Sequence, residues 1–484
     1  RRHQKLIEEA PSPAVGPALR ERLGDAALAV ARAVGYVGAG TVEFLLDREG
    51  SGEEFWFLEV NPRIQVEHPV TEAVTGLDLV RLQLLIAAGE PLGPELARVE
   101  LRGHAIEARL YAEDPANGFL PQAGTLHRFL VGAGGAGSGG APGAGPGGWG
   151  VRVDAGVADG SVVGVHYDPL LAKVIAHAPT RPEAARLLAS TLATARLHGI
   201  VTNRDLLVGA LRSEAFGSGE TDTAFLDRHP PAELTAAGGS ADPLADRVHA
   251  AAAVLSAQAE RRATATVYPA VPSGWRNNPS QLQQVDLQPA PPPGPGATVS
   301  IAYRFDRAGS LDALEVDGDP LAGSRLWRCS RVERVAATWL LDLEVDGVLR
   351  RFEAHRVGTT WFVDSPLGHA ELREPPAERL WTTGSPTSRE RLRSPTGGPG
   401  AGPGGSGATG GMTVSPLPGV VRRVAVRVGE RVEAGTVLVV VEAMKTEHRI
   451  AATRAGTVRR VLVAEGREVA AGATVVEFEE AADG

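Results

Sequence analysis

Residues 41–72 read TVEFLLDREGSGEEFWFLEVNPRIQVEHPVTE. Two apolar runs, TVEFLL and FWFLEV, flank the polar, glycine-bearing REGSGEE (48–54), the pattern of a β-hairpin with a longer loop. Two registers fit, with Leu46 opposite Phe55 or opposite Trp56. In the second, Glu43 lies opposite Glu59. Side chains alternate between faces along a strand, so an unbroken hairpin puts Glu43 and Glu59 on one face with Leu45, Phe55 and Phe57. Like charges directly opposed destabilise a sheet, and two carboxylates among aromatic rings resist joint ionisation. A divalent cation between them removes both problems. Asn61, two residues beyond Glu59 on the same face, offers another oxygen, and hard oxygen donors of this kind suit Mg²⁺ with phosphates completing the shell. Two exposed glutamates on a solvated strand are the ordinary alternative, and the hairpin alone favours that alternative.

The rest of the chain sets bounds on what such a site could serve. At 484 residues, three or four domains are expected. Formal net charge is −9, mild for this length, which argues against a nucleic-acid partner. The single cysteine, Cys329, cannot form an intrachain disulfide, which fits a reducing, cytoplasmic compartment and excludes a cysteine-rich zinc site. No apolar run is long enough to span a bilayer, and no signal-peptide pattern opens the chain. The start at RRHQK, without methionine, suggests a fragment.

Residues 1–215 read as mixed α/β. Asp78 has the position of an N-cap before LVRLQLLIAAG, with Gly89 as the stop. RPEAARLLASTLATARLHG (181–199) reads as one helix ending at Gly199, and 131–148 as a flexible, glycine-rich insertion. Residues 216–240 read as a polar join. ADPLADRVHAAAAVLSAQAERRA (241–263) is a helix, and the alternating runs after it form a meander, an α+β or barrel-like domain. SPTGGPGAGPGGSGATGG (394–411) is a flexible tether.

The last unit repeats internally. GVVRRVAVRVGERVEAG (419–435) aligns with GTVRRVLVAEGREVAAG (456–472), glycine on glycine at 419/456, 429/466 and 435/472. Two similar β halves imply a small quasi-symmetric sandwich, with Ala443-Met444-Lys445 in an exposed hairpin turn between them. The chain has only three lysines, Lys5, Lys173 and Lys445, among 49 basic residues. A guanidinium could supply charge at that turn but cannot be acylated, whereas a primary amine can. Lys445 therefore suits covalent attachment of a carboxylate-bearing cofactor. A solvated surface lysine is an equal alternative on position alone.

Larger blocks resolve these alternatives by resemblance. Glu442-Ala443-Met444-Lys445 after PLPG (416–419) resembles the attachment site of biotinyl carrier domains, with Met444 distinguishing it from a lipoyl domain. Thr446 departs from the Met or Leu usual there. RRHQKLIEEAPSP at the start, EVNPRIQVEHPVTE, GHAIEARLYAEDP…FLPQAGTL (103–126) and YDPLLAKVIAHAPTR resemble, in order, blocks of biotin carboxylase, an ATP-grasp enzyme. The helix-then-meander region and VYPAVPSGWRNNPSQ resemble the subunit-docking domain of acyl-CoA carboxylase α subunits. The resemblance implies a multidomain chain: a partial ATP-grasp lobe (1–95), a biotin carboxylase C-terminal domain (96–215), the join (216–240), a helix-in-β-barrel domain docking the carboxyltransferase (241–390), a linker (391–412) and a β-sandwich carrier (413–480).

By the same resemblance, Glu43, Glu59 and Asn61 hold Mg²⁺, or Mn²⁺ in its place, on ATP. Lys5, Arg63 and the segment at Gln65 form the bicarbonate site. Glu67 is the general base, Arg109 stabilises the enolate of biotin, His3 lies near the nucleotide, and Lys445 carries biotin beside Met444. The implied partners are a carboxyltransferase β subunit, which brings the acyl-CoA, and a biotin protein ligase, in a hetero-oligomer. The N-terminal ATP-grasp half of such enzymes, with its glycine-rich phosphate loop, is not among these blocks. The resemblance implies the α-subunit portion of a biotin-dependent acyl-CoA carboxylase, a ligase component for the ATP- and bicarbonate-dependent carboxylation of biotin on its own carrier domain; the alternative is a truncated, catalytically incomplete carrier and assembly module that lacks ATPase activity of its own. A lipoyl carrier fused to an unrelated ligase is a third reading.

Overall fold

The computed structural model describes residues 5–47, 54–97, 99–132, 148–239, 244–266, 281–290, 298–306, 310–320, 328–345, 347–375, 412–444 and 446–479. His3, Lys445, the hairpin loop 48–53, most of the glycine-rich insertion and the tether lie outside these residues. The chain divides into two compact units, one made of 1–239 with 407–484 and the other of 240–406. No helix among the described residues is long and apolar enough to cross a membrane.

In the first unit the elements are β1 (Ile7–Ala10), α1 (Pro17–Ala33), β2 (Thr41–Asp47), β3 (Glu54–Asn61), α2 (His68–Thr75), α3 (Leu79–Ala87), β4 (His104–Tyr111), β5 (Gly150–Ala155), β6 (Leu170–Ala178), α4 (Arg181–Ala193) and α5 (Arg204–Arg212). An antiparallel sheet in the order β1-β4-β6-β5 forms the centre. Alternation along β4 and β6 gives its two faces different duties. Ile106, Ala108, Leu110, Val174 and Ala176 point into a core with Leu188 and Leu192 of α4. Ala105 and Ile175 point the other way, against Val70 and Val74 of α2. Glu107, Arg109 and Lys173 share that second face, so charge is placed beneath α2 by strand period alone.

Helix ends follow their local chemistry. Asp78 accepts from the Arg81 N–H at 2.8 Å as the N-cap of α3, and Gly89 takes a left-handed φ of 79° just beyond its end. Thr180 and Glu183 close a capping box on α4. That helix ends at Ala193, short of the expected Gly199. Residues 196–198 are instead a strand paired antiparallel with 128–130, so their backbone bonds go to that partner and not to a further helical turn.

The expected join also differs. Residues 214–218, 225–228 and 231–238 are helices, and the last packs on α5. The two backbones touch through glycine: a Cβ on Gly209 would lie 1.9 Å from the Leu234 carbonyl oxygen, and one on Gly238 1.8 Å from that of Asp205. The glycines here serve close approach, not flexibility.

The hairpin β2–β3 combines both expected registers. Leu46 pairs with Phe55 near the loop, the register shifts between Glu43 and Phe44, and Glu43 then pairs with Glu59. The bulge at Leu58 changes which residues share a face. Phe44, not Glu43, meets Phe55 and Phe57, with ring centroids 5.3 and 6.4 Å away. The expectation that the glutamates sit on the face of Phe55 and Phe57 is therefore wrong. They sit on the side of Leu45. Leu45, Trp56, Phe57 and Leu58 remain about half exposed.

In the second unit, α6 (Ala245–Thr264) is followed by nine strands, β7 (Gln283–Pro289), β8 (Val299–Phe305), β9 (Leu311–Val316), β10 (Asp319–Pro320), β11 (Arg328–Val335), β12 (Thr338–Val345), β13 (Val348–Val357), β14 (Thr360–Ser365) and β15 (Gly368–Arg373). They form one antiparallel, barrel-like sheet in the order β10-β9-β8-β7-β15-β14-β13-β12-β11. Two meanders are joined where β7 meets β15, at Gln288 with Arg373 and Pro289 with Leu372. Helix α6 touches β8, β9 and β12–β15, so the sheet curls around it. Ala250–Ala253 are fully buried. Small side chains on every face of the helix allow strands to surround it, which a one-sided apolar stripe would not.

The C-terminal β-sandwich is built as the repeat foretells. Its strands are β16 (Met412–Val414), β17 (Gly419–Val424), β18 (Arg431–Val432), β19 (Val437–Ala443), β20 (Thr446–Ala451), β21 (Gly456–Val461), β22 (Glu468–Val469) and β23 (Thr474–Phe478). They form two four-stranded sheets, β16-β23-β21-β18 and β20-β19-β17-β22. Gly429 and Gly466, like Gly435 and Gly472, adopt matching left-handed turns with φ between 77° and 88°.

Candidate functional site

Four elements bring the charged residues together: the segment before β1, the hairpin β2–β3, the loop entering α2, and β4. Glu43 and Glu59 face each other across the bulged ladder. Asn61 Nδ2 donates to Glu43 Oε1 at 3.1 Å and to Glu59 Oε1 at 3.0 Å. Gln65 Nε2 reaches Glu43 Oε1 at 3.2 Å, and Lys5 Nζ reaches it at 3.4 Å. One carboxylate thus collects three donors.

Lys5 Nζ also donates to Glu67 Oε1 at 2.6 Å. The other Glu67 oxygen accepts from Arg109 Nη2 at 3.0 Å, and the same nitrogen meets Glu8 Oε1 at 2.5 Å. A continuous chain of alternating charge therefore runs Glu43–Lys5–Glu67–Arg109–Glu8. Glu67 occupies the N-cap position of α2, where the helix dipole favours an anion. Burial works against its ionisation, but Lys5 and Arg109 outweigh that and hold its pKa below the usual carboxylate value. Burial likewise opposes charge on Lys5 and on Arg109. Glu67 and Glu43 raise the lysine, and Glu8 raises the arginine, so both stay cationic.

Arg63 behaves differently from the others. It is exposed, and its Nη1 donates to the neighbouring Ile64 carbonyl at 3.2 Å. His3 lies outside the described residues, and so does Lys445. Met444, next to that lysine, has a left-handed φ of 49° between β19 and β20, which fits a two-residue hairpin turn. It is only 6% exposed, in contrast to the exposed turn expected.

Several residues of this cluster lie within the quoted blocks, but the sequence assigns them no role. Glu8 and Glu107 oppose each other across β1 and β4. Burial pushes Glu107 up to about 9, and Glu8 across the ladder adds to this. Burial pushes Glu8 up to about 7 against the pull of Arg109. The pair therefore retains a proton at neutral pH, which leaves Glu8 its partner Arg109. Lys173 Nζ donates to the Val66 carbonyl at 3.1 Å and lies 3.3 Å from Asp154 Oδ2. It pins the backbone immediately before Glu67. Its signal was available in the scarcity of lysine, since one of only three stands here. Buried Glu72 accepts from the Leu79 N–H at 2.8 Å and from Arg152 Nη1 at 2.7 Å, tying α2 to the sheet.

Among the described residues, no three His, Cys, Asp or Glu side chains cluster to hold a metal by themselves. The donor set at Glu43 is two opposed carboxylates and a carboxamide that touches both. Such a set suits a hard cation whose remaining ligands come from a phosphate. Opposed carboxylates bridged by the Asn61 amide, with the Gln65 amide and a more distant lysine on Glu43 alone, are the observation that a cation would fit.

Comparison with known proteins follows this geometry. Residues 1–95 match the family model described as carbamoyl-phosphate synthase L chain, ATP binding domain. Residues 107–228 match the biotin carboxylase C-terminal domain, and 412–478 match the model described as biotin-requiring enzyme. Residues 245–377 match the methylcrotonyl-CoA carboxylase alpha-subunit BT domain. These define the class: a biotin carboxylase portion and a biotin-type carrier in one chain. The α subunit of methylcrotonoyl-CoA carboxylase from Rattus norvegicus is 35% identical over 99% of this chain and 61% of its own length. The propionyl-CoA carboxylase α chain of Ruegeria pomeroyi is 35% identical over 99% of this chain and 66% of its own. Biotin carboxylase 2 of Bacillus subtilis is 46% identical over 47% of this chain and 48% of its own. The chain belongs to the family of biotin-dependent acyl-CoA carboxylase α subunits, and it spans 61% of the length of the rat relative.

Proposed function

We propose that this chain is the α-subunit portion of a biotin-dependent acyl-CoA carboxylase, carboxylating biotin carried on its own carrier domain at the expense of ATP and bicarbonate. The observation that carries the reading is the unbroken Glu43–Lys5–Glu67–Arg109 chain, which links a metal-type carboxylate pair to an ionised base and a fixed cation within one network. When bound, magnesium-ATP supplies the phosphoryl group that activates bicarbonate, and biotin on Lys445 supplies the nitrogen that takes up carbon dioxide.

The chain's own residues have separable tasks. Glu43, Glu59 and Asn61 would hold the metal. Lys5, Gln65 and exposed Arg63 would gather bicarbonate, with His3 nearer the nucleotide. Glu67 is kept ionised, as a proton acceptor must be. Its two cationic partners lower its basicity until one of them turns toward an anionic substrate. Arg109 is held between Glu8 and Glu67, so its positive charge is in place before any negative charge develops beside it. Met444 shapes the turn that presents Lys445.

The relatives' names point to an acyl-CoA substrate, acted on by a carboxyltransferase β subunit in a hetero-oligomer. A biotin protein ligase would load Lys445. The compartment is read as reducing and cytoplasmic from the single cysteine. A second reading, a carrier and docking module without its own ATPase activity, is favoured by the half-exposed apolar residues of the hairpin that bears the carboxylates. Bicarbonate-dependent ATP hydrolysis with free biotin separates the two. Turnover by this chain sinks the second reading. None from this chain, with turnover after the longer relative's N-terminal part is added, sinks the claim of activity for this chain alone.

A further inference from the structure

A second charged network lies under α2. Strand register lines up Arg109, Lys173 and Asp154 across β4, β6 and β5. Two cations opposed across a ladder repel. Each is drawn instead to its own anions, Arg109 to Glu8 and Glu67, and Lys173 to Asp154, 3.3 Å from its Nζ. Arg152 grips the same aspartate, with Nε and Nη2 donating to its two oxygens at 2.8 and 2.9 Å. Its remaining nitrogen, Nη1, donates to Glu72 at 2.7 Å, and that side chain is 4% exposed. Glu72 accepts in turn from the Leu79 N–H. The run Lys173–Asp154–Arg152–Glu72 thus joins β5 and β6 to the middle of α2 and the start of α3.

At its other end, Lys173 donates to the Val66 carbonyl at 3.1 Å. That carbonyl and the Glu67 N–H belong to one planar peptide unit, so holding the first fixes the plane from which the Glu67 side chain leaves. Gln65 and Glu67 both face the charged site, Gln65 toward Glu43 and Glu67 toward Lys5 and Arg109. An ammonium suits position 173 because it offers three donors from one point, whereas a guanidinium is a rigid planar fork. Burial opposes ionisation of Asp154, but Arg152 and Lys173 outweigh it and hold its pKa below the usual carboxylate value.

We propose that Lys173, backed by Asp154, Arg152 and Glu72, is a positioning brace for Glu67, setting the turn 65–67 so that the Glu67 carboxylate falls between Lys5 and Arg109. The brace acts through the Val66 carbonyl. Its part in the reaction is to keep the proton acceptor aligned with those two cations, and this rests on the reading of the chain as a biotin carboxylase portion.

The scarcity of lysine supplies the probe. Lysine labelled with 13C at Cε marks the full chain at three positions, Lys5, Lys173 and Lys445. Lys173→Met and Lys445→Arg each remove one NMR cross-peak, and the third belongs to Lys5, which reports its ion pair with Glu67 at 2.6 Å. Glu67→Gln gives the Lys5 position without that pair. Lys173→Met should carry the Lys5 peak at least half of the way to it, and Asp154→Asn should carry it in the same direction. Leu188→Ala loosens the core on the opposite face of the sheet and should leave the peak in place. A Lys5 peak unmoved in Lys173→Met, or moved as far by Leu188→Ala, overturns the brace. Asp154→Asn decides on the same terms if Lys173→Met does not fold. Movement in Lys173→Met alone overturns the part given to Asp154. Bicarbonate-dependent ATP hydrolysis by the unsubstituted chain keeps the two claims apart. An unmoved peak in a chain that turns over overturns the brace and leaves the carboxylase reading standing. A moved peak in a chain that stays inactive even after the longer relative's N-terminal part is added supports the brace and removes that reading.

Discussion

At the scale of single residues, two side chains give sharp expectations. Lys445→Arg keeps the charge of the turn and removes its amine. Biotin incorporation should fall to nothing in cells with an active ligase, read by intact mass and by streptavidin blot. Attachment that persists in the variant refutes the assigned site. Glu107 gives a pH signature. Its folded pKa, about 9, stands above the usual carboxylate value. Between pH 4.5 and 9 the unfolded chain releases this proton while the fold retains it. Stability therefore declines as pH rises through that window and is unaffected by Glu107 below it. Glu107→Gln should remove the decline, with a relative stabilisation at pH 9 over pH 5 on the order of a few kcal/mol. Urea unfolding at the two pH values measures it, and equal effects at both would show that Glu107 is ionised in the fold. Glu107 was legible only as part of a motif; its burial opposite Glu8 was not, because cross-strand neighbours of β1 and β4 lie about a hundred residues apart in sequence.

At the scale of elements, glycine in α5 sets two effects against each other. By helix propensity alone, Gly209→Ala should stabilise by about 1 kcal/mol. The added Cβ would meet the Leu234 carbonyl at 1.9 Å, which is backbone and cannot swing away. Overpacking of this kind costs roughly 1–3 kcal/mol or more, so the clash should win. Thermal or urea unfolding decides the sign, and a stabilised variant would contradict the packing of 231–238 on α5. The same contact explains why 216–240 looked like a join: its helices are short, and their partner is another helix. The hairpin illustrates the converse case. Both registers read from its sequence occur, one on each side of a bulge that no residue type announced.

For the whole molecule, the division into two compact units predicts two unfolding transitions in calorimetry. Ala252→Leu enlarges a fully buried position of α6 inside its barrel-like sheet, and should destabilise one transition by roughly 1–3 kcal/mol. The other transition should be the one moved by Gly209→Ala. A single transition shifted by both variants would mean that the units fold as one. The four-block order, the repeat and the helix-then-strand region were all legible at this scale, because each is encoded by local pattern and chain order.

By itself, the sequence determined the modular plan, the quasi-symmetric C-terminal β-sandwich with a scarce lysine at 445, and the carboxylate pair at 43 and 59. Period, glycine placement and residue chemistry act over a few neighbours and need no distant partner. Tertiary structure alone decided that Lys5 bridges Glu43 and Glu67, that Glu8 and Lys173 support Arg109 and the approach to Glu67, and that Met444 is covered by Val165 instead of by water. Those contacts join residues far apart along the chain, and only the packing of α2 over the β1-β4-β6-β5 sheet brings their charges within reach.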